Sequence, residues 1–94
     1  MNTIVKIPKE QLPAISWPVV DVISDEGDQV IRKEKLHRAM ILGNTEKIKT
    51  SICFKSKNGE EFMVETTIWA LTEKYVCLKH GITIPLKAIT QVDI

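Results

Sequence analysis

Hydrophobic and polar residues follow one rhythm after Lys47 and another before it. From Lys47 the spacing is two. Ile48, Thr50, Ile52 and Phe54 share one face, and Lys47, Lys49, Ser51, Cys53 and Lys55 take the other. This is the alternation of a half-buried strand. Asn58-Gly59 follows, two residues that tolerate positive φ and mark a hairpin. A second strand is predicted over 61–70. Phe62, Val64 and Ile68 lie on one face, and Met63, Glu65 and Trp69 on the other. Both faces turn apolar from Ile68 to Leu71, as in a strand that rounds a barrel corner. Thr72-Glu73-Lys74 turns the chain. Strands over 75–79 and 82–84 flank a tight turn at His80-Gly81, and Pro85 ends regular pairing or sits on an edge. Leu86 to Ile89 reads as a single 3₁₀ turn, and 90–94 as a closing strand. The pattern predicts a mainly β fold: a small, bent, five-stranded antiparallel barrel.

Before Lys47 the order is looser. Ile4, Val5 and Ile7 form an edge-strand pattern that stops at Pro8. Pro13 and Pro18 exclude a regular helix or central strand over 9–20. Trp17 in this proline-bounded arm reads as an anchor on the domain surface, or as a docking residue for another subunit. Residues 24–28 (Ser-Asp-Glu-Gly-Asp) read as a solvated loop. They lack the alternating oxygens and the distal Glu of a calcium loop. Residues 29–42 are rich in helix formers. Asp28 is placed to cap that segment and Gly43-Asn44 to close it, with Leu36, Ala39 and Met40 on one face. A strand over 36–42 competes with this short helix, and the helix is preferred. The expected organisation is an irregular N-terminal arm over 1–28, packed on a barrel domain with a leading helix over 29–94.

Two segments carry a family resemblance. The run from Ile52 to Phe62 is similar to the first hairpin of the Sm-like and SH3-like small barrels, among them the Hfq-like and Rof-like proteins. The run from Ile84 to Val92 is similar to their closing turn. The resemblance covers 29–94 and implies their fold. Their bent second strand carries a glycine where this chain has Val64. The triplet that Hfq-like proteins use for uridine falls on Pro85-Leu86-Lys87, which keeps only Lys87 as a phosphate contact. The resemblance therefore implies neither uridine-rich RNA recognition nor ring assembly.

Composition narrows the function classes. The chain is 44% hydrophobic and 27% charged, as in soluble globular domains. Its net charge of +1 gives no global steer toward nucleic acid or an anionic membrane, so such a surface has to be a local patch. No apolar run approaches the ~20 residues that span a bilayer. The N-terminus has no apolar signal core, so Cys53 and Cys77 are expected to be reduced thiols in the cytoplasm. The soft ligands His37, Cys53, Cys77 and His80 lack the paired short spacings of a zinc site. Glu60-Glu61 sit in a hairpin turn, where solvent keeps them ionised. The four glycines are scattered and form no phosphate loop. The expectation is a non-enzymatic chain without metal or cofactor.

Binding remains. The favoured reading is a protein-interaction or regulatory module that contacts a protein partner or a second copy through Trp17 and Trp69. The alternative is binding of RNA or single-stranded nucleic acid on a basic outer face. Lys47, Lys49 and Lys55 would form its row, joined by Arg32, Arg38 and Lys87, with Trp69 or Tyr75 as a stacking platform.

Overall fold

The computed structural model describes residues 3–93. One helix, α1 (Glu26–Glu46), precedes most of the strands. The Asp25 carboxylate caps it, accepting the Asp28 N–H at 2.9 Å, and Glu26 and Asp28 place negative charge in its first turn. The acidic segment is therefore a cap and a helix start rather than a loop, and the expected boundary at 28/29 falls inside the helix. The helix also runs past residue 42. Lys47 closes it in the left-handed region (φ 56°), its N–H donating to the Gly43 carbonyl at 3.0 Å. The expected short helix is thus 21 residues long.

Gly43 is interior to the helix because of close packing. Its buried face lies against the crossover at 67–69. A Cβ there would stand 2.9 Å from Thr67 Cγ2 and 3.3 Å from the Ile68 carbonyl oxygen. Gly43→Ala gains about 1 kcal/mol of helix propensity and loses about 1–3 kcal/mol to overpacking. The expected result is a net loss near 1 kcal/mol, a melting temperature lower by about 4–8 °C in a thermal unfolding scan. An unchanged or raised midpoint would contradict the tight contact.

The strands are β1 (Val5–Lys6), β2 (Thr50–Lys55), β3 (Glu61–Thr66), β4 (Ala70–Leu71), β5 (Tyr75–Cys77), β6 (Thr83–Pro85) and β7 (Ile89–Asp93). They form two sheets, ordered β1-β3-β2-β7 and β4-β5-β6. The β2–β3 hairpin is antiparallel, with Ile52 opposite Val64 and Phe54 opposite Phe62, and Gly59 in its turn has φ 84°. β7 pairs antiparallel with the other edge of β2, with a register irregularity between Cys53 and Phe54.

The domain is small, rich in β structure and led by a helix, yet its strands differ from expectation. Among the described residues seven strands stand where five were expected, and their hydrogen-bonded order does not close into one ring. Two changes account for the count. The segment over 61–70 leaves the first sheet after Thr66 and enters the second at Ala70, so one expected strand becomes β3 and β4. The edge-strand pattern of the arm forms β1, parallel to β3 and additional to the five barrel strands, and the arm otherwise expected to be irregular adds a 3₁₀ helix over Lys9–Ala14. The 3₁₀ turn over Leu86–Ala88 forms as the pattern predicts. Ile94, expected in the last strand, lies outside the described residues.

The core draws on every part of the chain. Ile52, Phe54, Val64, Ile68, Ile84 and Ile89 are fully buried, and Leu36 and Ala39 of α1 close one side. Ile7 and Leu12 of the arm join the same cluster. On α1 the buried positions are Arg32, Leu36, Ala39 and Gly43, a single stripe of helical period.

Candidate functional site

The basic residues singled out by sequence separate into different surroundings. Arg32 is not a phosphate contact: its side chain is 8% exposed. Its guanidinium donates to both Asp21 carboxylate oxygens at 2.9 and 2.7 Å and to the Ile89 carbonyl at 3.0 Å. Burial acts to raise the Asp21 pKa, but the bonds from Arg32 and from the Ile23 N–H outweigh it and hold the carboxyl below the usual range. Lys55 lies 3.8 Å from Glu61. Lys87 donates to the Val19 carbonyl at 3.4 Å. Arg38 stays exposed on α1, beside Val30 and Ile41. Of the six, Lys47 and Lys49 come together.

The tryptophans also part. Trp17 is half-buried, its ring 5.3 Å from that of Phe54. The Lys57 N–H donates to the neighbouring Ser16 carbonyl at 2.7 Å, which ties this part of the arm to the hairpin. Trp17 thus anchors the arm on the core within the chain. Trp69 is 54% exposed. It sits in the crossover between the sheets, with its backbone N–H held by the Cys77 carbonyl at 2.9 Å.

Trp69 shares a groove of about 750 Å³ with Lys9, Lys47, Lys49 and Lys79. Each lysine is set by a different element: the start of the first 3₁₀ helix, the C-cap of α1, the entry to β2 and the turn after β5. Among the described residues none of the four makes a hydrogen bond or ion pair through its ammonium group. The acids of the groove are Glu10 and Glu65, and Glu65 lies 3.9 Å from Lys6. Four ammonium groups against two carboxylates leave a local excess of +2, in a chain whose total is +1. Sequence reading missed Lys9 and Lys79, because nothing local marks residues that folding brings together from opposite ends of the chain.

A second surface lies on α1. Val30, Glu34, His37 and Ile41 border an apolar groove of about 440 Å³ together with Leu71. Val30 is 57% exposed and Ile41 47%. This groove shares no lining residue with the lysine groove.

Cys53 is buried, and its thiol pKa is pushed up by that burial and by the Asp93 and Glu61 carboxylates, which disfavours the nucleophilic thiolate. Among the described residues no three His, Cys, Asp or Glu side chains cluster as metal ligands, and no helix is long and apolar enough to cross a membrane. In comparisons with known proteins, no family model, no curated protein and no solved structure matches the chain.

Proposed function

We propose that this chain is a non-enzymatic binding module of the SH3-like and Sm-like small-barrel kind, and that it holds single-stranded nucleic acid in the Trp69 groove. Three features support the barrel reading. β3 and β4 are one strand broken at 67–69, β2 pairs with both β3 and β7, and the Leu86–Ala88 turn joins β6 to β7. In that reading five strands make the barrel and β1 is an addition from the arm.

The observation that carries the nucleic-acid reading is an exposed indole set among four uncommitted lysines. Ammonium groups neutralise phosphates and release counterions, and a stacked base on an aromatic ring adds about 1–3 kcal/mol. Lysines act as point charges and the indole accepts any base face, so binding is sequence-tolerant. The test is fluorescence anisotropy with a labelled single strand of about 12 nucleotides. Four phosphate contacts predict a log–log salt slope of about −2.8, from roughly −0.7 per contact on single strands. Lys47→Glu with Lys49→Glu should weaken binding more than about tenfold at low salt and flatten the slope. Binding that ignores salt, or no binding at low salt, sinks the proposal.

Protein interaction is a second reading. The exposed apolar face of α1 favours it.

A further inference from the structure

The exposed face of α1 carries a stripe whose chemistry is self-complementary, apolar at both ends with an acid and a histidine between them. Val30, Glu34, His37 and Ile41 are spaced four, three and four apart, so the series of gaps reads the same in both directions. At 100° per residue these positions form one narrow stripe, the seam geometry of a two-helix contact. The buried stripe through Leu36 and Ala39 lies on another face, so the seam is unused within the domain.

From this pattern we infer that a second copy of the chain docks here, its α1 antiparallel to the first about a two-fold axis that passes between Glu34 and His37. This partner deepens the protein-interaction reading and rests on it. The axis sets Val30 against Ile41 of the second copy, and Glu34 against His37 of the second copy, each twice. The layers are apolar at both ends and complementary in the middle. A parallel pair would instead oppose Glu34 to its own copy and His37 to its own copy. Lys33 and Arg38 also border the groove and fall on opposite flanks of the seam, so the axis sets each on the same flank as its own copy, about 7.5 Å apart along the helices, a like-charge placement that weakens the pair. Leu71 beside the groove widens the apolar contact. An isologous contact of this kind is self-complementary, which a palindromic stripe satisfies. One helix pair buries less than a standard interface, so the dimer is weak and concentration-dependent.

Sedimentation equilibrium of the full chain, from about 10 µM to 1 mM, tests it. The expected result is a reversible monomer–dimer equilibrium. Glu34→His and His37→Glu each set like residues face to face, and each should weaken the dimer about tenfold. The double variant carrying both exchanges the partners and should return to within about threefold of the starting chain. All substituted positions are exposed, and circular dichroism checks that the fold is kept. A strict monomer at 1 mM, a dimer indifferent to the single changes, or a double variant as weak as the singles overturns the inference. A monomer that nonetheless binds a helix of another protein through Val30 and Ile41, lost in Ile41→Glu, refutes self-association but retains the interaction reading. Loss of both refutes both. Nucleic-acid binding should be unaffected by these variants, because the two grooves share no residue.

Discussion

Asp21→Ala is expected to destabilise the domain by about 3 kcal/mol, at the lower end of what breaking a buried ion pair costs. The loss comes from what is left behind. Arg32 is 8% exposed and loses two of its three acceptors, which leaves a buried guanidinium held by the Ile89 carbonyl alone. Asp21 is itself a quarter exposed, so water enters and moderates the penalty. The same pair ties the N-terminal arm to α1 and, through Ile89, to β7. The effect depends on pH with a definite sign. The folded-state pKa of Asp21 is depressed, so its stabilisation is present above the unfolded value of about 3.9 and is lost as pH falls through the folded value. Urea unfolding of the parent and of Asp21→Asn should differ clearly at about pH 7 and converge as pH falls through the folded-state pKa of Asp21. A gap that persists in acid would contradict an ionic origin.

Phe54→Ala is expected to cost about 3–5 kcal/mol, the range for emptying a large buried aromatic position. Phe54 is fully buried and stands opposite Phe62 on β3 and Ile89 on β7. Its ring lies 5.3 Å from that of Trp17 and 5.7 Å from that of Phe62. The change therefore strips the seat of Trp17 as well as the centre of the core. If the alanine variant does not fold, Phe54→Leu serves, at a smaller cost of about 1–2 kcal/mol. In either variant Trp17 emission should shift to the red, as the indole gains water. A core loss with unchanged Trp17 emission would mean the arm is anchored elsewhere.

These two sites also show where sequence reading reaches and where it stops. The alternation of Thr50, Ile52 and Phe54 and the Asn58-Gly59 turn mark β2, β3 and their hairpin, because a strand's inside–outside period and a turn's φ preference are local properties. The start of α1 was obscured because Asp25-Glu26-Gly27-Asp28 suits a loop as well as a cap with an acidic first turn. The choice rests on packing that begins at Arg32. The parallel pairing of β1 with β3 leaves no local mark, since its partner lies far along the chain. Arg32 looks like any basic residue on a helix, and only the fold brings Asp21 opposite it. The candidate groove was half legible. Lys47, Lys49 and Trp69 stood out as a basic row and an outward aromatic. Lys9 and Lys79 became part of the site only when the arm and the turn after β5 met beside α1.

The most direct test of the nucleic-acid proposal uses Trp69 itself. The chain has two tryptophans, so Trp17→Phe leaves Trp69 as the single indole while keeping an aromatic ring on Phe54. An unlabelled single-stranded oligonucleotide is titrated into this protein at low salt, and salt is then added back. Stacking in the groove predicts saturable quenching of Trp69 emission that salt reverses. Emission that stays flat to high oligonucleotide concentration at low salt would contradict the proposal.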